Sequence, residues 1–192
     1  QLLLWHMNNY KIQFVVQEEI DINKIKFASN NRNIIVALKN GSLVVRDFEG
    51  IAVSHYNHKG RINAITTKND SIYVGGEGRV VSVYNKEHRY GNKILRHHSW
   101  INSINSSNNL LVSGGFDNQI QLYSFATEEI SNLSIHQSPV VKAVIDQIQN
   151  RIISVDVDGY VKSTNISQLN TKTLFYAKNN IKNMMLAPDS KE

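Results

Sequence analysis

Two runs of residues decide the fold. His97-His98-Ser99-Trp100-Ile101-Asn102-Ser103-Ile104 opens the unit, and Leu111-Val112-Ser113-Gly114-Gly115-Phe116-Asp117-Asn118-Gln119-Ile120-Gln121-Leu122-Tyr123 completes it. A histidine stands ahead of a short apolar run; a second apolar run follows, then a tight turn and a third. The opening phrase returns as His58-Lys59-Gly60-Arg61-Ile62 and as His136-Gln137-Ser138-Pro139-Val140. With histidines at 58, 97 and 136, the period is 39 residues. A fixed period of this length marks a repeat architecture.

Outward from that stretch, four sets of apolar runs recur. The first holds Ile25-Lys26-Phe27, Ile62-Asn63-Ala64-Ile65, Ile101-Asn102-Ser103-Ile104 and Val140-Val141-Lys142-Ala143-Val144. A second holds Ile34-Ile35-Val36-Ala37-Leu38, Ile72-Tyr73-Val74, Leu110-Leu111-Val112 and Ile152-Ile153-Ser154-Val155. Behind each lies a third run (Leu43-Val44-Val45, Val80 to Tyr84, Ile120 to Tyr123, Tyr160-Val161-Lys162) and a weaker fourth near 51–53, 93–95, 130–133 and 173–175. Short β-branched runs bounded by Gly, Asn, Asp and Ser read as strands joined by hairpins. No stretch sustains a 3.6-residue apolar period, so no helix is predicted. Four strands per repeat of about 40 residues is the pattern of a propeller blade.

At this point the chain resembles the WD40 repeat family. Leu111 to Tyr123 is similar to that family's second strand, Asp turn and third strand. The family's Trp slot holds Trp5, Arg46, Tyr84, Tyr123 and Thr164, and no copy keeps the Trp-Asp dipeptide. The resemblance implies an all-β propeller of four-stranded antiparallel blades, knitted internally by His, Ser or Thr, Asp and Trp, with Tyr in place of Trp in blade three. Blade three offers His97, Ser113, Asp117 and Tyr123; blade four offers His136, Ser154 and Asp158. An Asp in a turn can accept from a neutral His whose other nitrogen meets a hydroxyl. Blade two has His58, but Val74 and Gly78 stand in the other slots, and blade one has Asp21 in the His slot, so both are expected to rest on packing.

The whole of 1–192 is read as one propeller region: a partial blade over 1–20, blades at about 21–57, 58–96, 97–135 and 136–177, and the first strand of a next blade within 178–192. Trp5 falls in a third-strand slot, so the stretch is expected to start inside a blade and to be part of a larger, seven-bladed ring. The alternative is a five-bladed ring whose last blade joins residues near 181–187 to 2–16.

Net charge is +5 and the sequence pI is about 9.3. The lysines form no block of like charge, so the surface reads as solvated and mildly basic. There are no cysteines, which excludes disulfides, thiolate zinc sites and cysteine nucleophiles. Such a chain suits the cytoplasm, the favoured compartment, and the periplasm alike. No window offers the run of about 20 apolar residues that a membrane helix needs. The 24 asparagines fall mostly between strands and read as turn residues.

The repeat absorbs the apparent chemistry. His58, His97, His136, Ser113, Asp117 and Asp158 are assigned to architecture. His55 and His58 alone are too few for zinc, which takes three or four ligands. Gly75-Gly76-Glu77-Gly78 lacks the Lys-Ser/Thr of a phosphate loop. No catalytic, cofactor or metal site is predicted, and the expected function is a non-catalytic scaffold presenting one rim to a partner protein. Rim candidates are Trp100 first, then Arg61, Lys59 and His98, since Trp and Arg dominate interface energetics. Loop residues Gln137, Pro139 and Asn180 belong to the same rim. A rival reading, a nucleic-acid-contacting subunit, rests on the basic hairpin 86–93 with Arg89 and Lys93.

Overall fold

The computed structural model describes residues 1–178 and 181–186. Among them are eighteen strands, no helix, and so no helix long and apolar enough to cross a membrane. A two-stranded antiparallel sheet pairs β1 (Leu2–Trp5) with β2 (Ile12–Val16). Four four-stranded antiparallel sheets follow, each running in sequence order from an inner to an outer strand. Blade one is β3 (Ile22–Phe27), β4 (Asn33–Leu38), β5 (Ser42–Asp47) and β6 (Ala52–Asn57). Blade two is β7 (Ile62–Lys68), β8 (Ser71–Gly76), β9 (Val80–Tyr84) and β10 (Asn92–Arg96). Blade three is β11 (Ile101–Ser106), β12 (Leu110–Gly115), β13 (Ile120–Ser124) and β14 (Ile130–Leu133). Blade four is β15 (Val140–Asp146), β16 (Arg151–Asp156), β17 (Tyr160–Asn165) and β18 (Thr171–Tyr176).

Most positions of the second and third strands are buried because both of their faces are covered. Side chains alternate across a strand, and the alternation sorts blade one into two cores. Ile34, Val36, Leu38 and Val44 pack with Leu2, Leu4, Phe14 and Val16 of the two-stranded sheet. Ile35, Ala37, Leu43 and Val45 pack instead with Ile62, Ile72, Val74 and Tyr84 of blade two. The same sharing joins blade two to blade three through Ile101, Ile104 and Leu111, and blade three to blade four through Val140, Ala143 and Ile152. Each fully buried aliphatic side chain contributes about 1.5–3 kcal/mol, so stability lies between the sheets. Gly75 and Gly114 mark close approaches between sheets: an added Cβ would lie 2.9 Å from Ile101 and 2.6 Å from Val140.

The first strands β3, β7, β11 and β15 touch in succession. Each carries a register shift after its first residue, at Ile22/Lys24, Ile62/Ala64, Ile101/Ser103 and Val140/Lys142. Such a bulge re-aims the side chains that follow it. The asparagine at the bulge then reaches the next blade. Asn23 Nδ2 donates to the Ile62 carbonyl, Asn63 Nδ2 to that of Ile101 at 3.3 Å, and Asn102 Nδ2 to that of Val140 at 3.1 Å. The ladder stops at Val141, which packs beside Ile181, Met184 and Leu186.

Residues 181–186, expected as a first strand, form no strand. A strand needs a hydrogen-bonded neighbour, and this segment meets blade four through side chains instead. The expected rim residue Asn180 and the stretch 187–192 lie outside the described residues.

Candidate functional site

Connections between strands alternate ends, so the fourth-to-first and second-to-third loops share one rim of the blades. Histidine packs there beneath the surface. In blade three, His97 Nδ1–H donates to Asp117 at 3.0 Å, and its Nε2 meets the Ser113 hydroxyl at 2.8 Å. Burial alone would raise the Asp117 carboxyl. The hydrogen bond and charge of His97 and the amides of His98 and Gln119 outweigh it and hold that carboxyl below its usual value.

Blade four corrects one assignment. His136 Nδ1–H donates to Asp156 at 2.7 Å, not to Asp158, which is exposed. Strand register explains the exchange. Ile101 pairs with Gly115 where Val140 pairs with Asp156, so Asp156 occupies the glycine position. A Cβ on Gly115 would lie 2.8 Å from His97 Nδ1. A carboxylate built from that position therefore reaches the ring first, and Asp158 is left in solvent. The Ser154 hydroxyl meets Nε2 at 2.8 Å. Burial holds the His136 pKa below normal against the opposing bond and charge of Asp156, so the ring is neutral and Ser154 donates to it.

Blades one and two are not held by packing alone. His58 meets Tyr84 Oη at 3.1 Å through Nδ1, while its buried Nε2 has no partner. Tyr84 takes the aromatic slot, as the repeat requires. In blade one, the residue four before the first strand is Glu18, and it pairs at 2.9 Å with Arg46 of that same slot, largely out of solvent. Asp21 instead forms an exposed ion pair with Lys39 at 2.6 Å.

One backbone bond repeats along the rim. The carbonyl of the residue before each first strand accepts from the amide just past the second strand: Asp21 from Lys39 at 2.9 Å, Arg61 from Glu77 at 3.0 Å, Trp100 from Phe116 at 2.8 Å, and Pro139 from Val157 at 2.9 Å. The bond fixes two side chains side by side on every blade. Their chemistry changes along the chain, from charged in blades one and two to apolar in blades three and four. Trp100 and Phe116 meet edge to face with ring centroids 5.9 Å apart, and they remain 48% and 45% exposed. Phe116 was missed in the sequence; its signal was the position just past the Gly114-Gly115 strand end.

The other candidates divide. The Arg61 guanidinium binds Asn23 Oδ1 at 2.7 and 3.1 Å, so it is tied to blade one. His98 is exposed, and its amide donates to Asp117 at 2.8 Å. Lys59 and Lys93 line a cleft of about 400 Å³ with His58, Glu77, Arg79 and Tyr90. Arg89 lies in the third-to-fourth hairpin, at the end away from Trp100. Thus Arg89 lies apart from the aromatic pair, while Tyr90 and Lys93 of the hairpin share the cleft with Lys59.

Residues 91–124 match the family described as WD domain, G-beta repeat. The match runs from the outer strand of blade two through the third strand of blade three. No curated protein matches the chain. WD40 repeats generally mediate protein–protein contact and scaffolding, and the family is typically non-catalytic; nothing in the match favours the nucleic-acid reading. With that match in the third blade and the same sheet repeated in three others, the chain carries WD40-like repeats in the blade architecture of a β-propeller.

Proposed function

We propose that this chain is a non-catalytic scaffold that offers the apolar part of its rim to a partner protein within a multi-subunit assembly. The observation that carries this reading is the half-exposed Trp100–Phe116 pair. Pro139 and Val157 occupy the same two positions on the next blade. Aromatic side chains at such sites supply most of the energy of an interface when a partner desolvates them. His98 stands beside the pair as a polar neighbour, Lys59 lines the cleft of the preceding blade, and Arg61 serves first to join blades one and two.

The test is a photo-crosslinking amino acid placed at Phe116 and, as control, at the exposed Ile148 in the first-to-second turn of blade four, on the opposite end. A discrete crosslinked protein from position 116, lost in Trp100→Ala at unchanged melting temperature, supports the reading. Equal crosslinking from both positions, or none from 116, refutes it. Unfolding of Trp100→Ala would show that this ring packs the blade rather than a partner.

A further inference from the structure

The first strands surround a central cavity of about 420 Å³. Its walls carry Lys24 and Lys26 of β3, Lys142 of β15 and Lys182 of the 181–186 segment, with Asn63 and Asn102 between them and, among the described residues, no carboxylate. Among the described residues, none of the four lysines makes an ion pair. Repeat position sharpens the point. Lys24 and Lys142 occupy the slot just past the bulge, where blades two and three have Ala64 and Ser103. The outer blades of the described set thus aim ammonium groups at the axis, where the middle blades carry small side chains.

This arrangement is costly when empty. Burial destabilises the Lys142 ammonium, and the charges of Lys24 and Lys26 add to it. Like charges gathered in one cavity repel one another and attract an anion. One unit of negative charge cannot satisfy ammonium groups that enter from three segments. Several charges carried on one compact group can, and phosphate oxygens also accept hydrogen bonds from ammonium donors.

We propose that the central cavity binds a small polyanion with clustered phosphate groups, held by Lys24, Lys26, Lys142 and Lys182. This site is separate from the rim and does not depend on the scaffold reading.

Calorimetry on the full chain tests it with tripolyphosphate, with orthophosphate and a hexa-aspartate peptide as comparators. Tripolyphosphate should bind and raise the melting temperature, and orthophosphate should bind about a hundredfold more weakly. The Lys24→Gln/Lys142→Gln variant should weaken tripolyphosphate binding about a hundredfold, while Lys86→Gln/Arg89→Gln at the hairpin leaves it unchanged. Free of ligand, the first variant should melt no lower than wild type, because it removes repulsion. Should that variant fail to fold, Lys24→Gln/Lys26→Gln, both exposed on β3, carries the same comparison. Absence of binding at millimolar tripolyphosphate overturns the proposal. So does equal loss in the hairpin variant, or a peptide that binds as tightly, which would assign the cavity to an acidic protein segment.

Discussion

Lowering the pH should unfold this protein through His58 more than through any surface group. Tyr84 has one hydroxyl proton and gives it to the Asn57 carbonyl at 3.1 Å. The 3.1 Å contact between the same hydroxyl and His58 must therefore be donated by Nδ1–H of His58. That fixes the tautomer and leaves Nε2 as a bare, buried lone pair. Protonation would place a charge and a donor there with no acceptor. The turn carboxylate found in blade three is missing because Gly78 stands in its place, and a Cβ there would lie 2.5 Å from the Lys59 carbonyl. Burial accordingly drives the His58 pKa from 6.5 down to about 4. The folded state then binds fewer protons than the unfolded state between those values, so stability falls as pH falls through the window. The full loss is on the order of 3 kcal/mol, of which about 2 kcal/mol is gone by about pH 5. Urea unfolding of wild type and His58→Asn, followed by tryptophan fluorescence at about pH 7 and about pH 5, isolates the effect. Asn keeps a donor near Nδ1 and does not titrate. The wild type should lose about 2 kcal/mol more than the variant over that interval. Equal losses would refute the reasoning.

Two further outcomes follow from the same geometry. Asp156→Ala should cost about 1.5–3 kcal/mol in a denaturant titration, because His136 and the Tyr160 amide lose their acceptor, whereas Asp158→Ala should stay within about 0.5 kcal/mol. Asn102→Ala should cost about 1 kcal/mol by removing its bond to the Val140 carbonyl, and hydrogen exchange should show the loss first where β15 meets β11.

The strands were legible because each is a short β-branched run, and the period was legible because the histidines hold a fixed place before the first strand. The partners of those histidines were harder to read. His97 and His136 each find their carboxylate 20 residues on, yet their hydroxyl partners lie 16 and 18 residues on. The turn in blade four thus slips against the strand register, and matching turns by type selects Asp158 where the ring touches Asp156. Glu18 escaped notice because its partner is Arg46, a cation in a slot the family fills with an aromatic. Lys24 and Lys142 lie more than a hundred residues apart in the sequence, and only the shared slot after the bulge connects them. Asparagine was read as turn chemistry; at 23, 63 and 102 it bridges blades.

Within each blade, the backbone and side chains of the same rim residues are constrained differently. The rim bond uses the carbonyl before the first strand and the amide after the second, whatever the side chains are. Those side chains are consequently free to differ, and they do: Asp21 with Lys39, Arg61 with Glu77, Trp100 with Phe116, Pro139 with Val157. Two of these pairs are taken up locally, Asp21 by the Lys39 ammonium and Arg61 by Asn23. Trp100 and Phe116 meet as a ring pair and keep nearly half of their surface in water. An edge-to-face aromatic pair is worth about 0.5–1.5 kcal/mol beyond burial, which explains how the rings are held but not why they are exposed. The blade does not need them there for its backbone, and removing their remaining apolar surface from water would release further free energy. A partner surface placed over blades three and four, as proposed, would supply that burial without altering any bond on which the sheets depend.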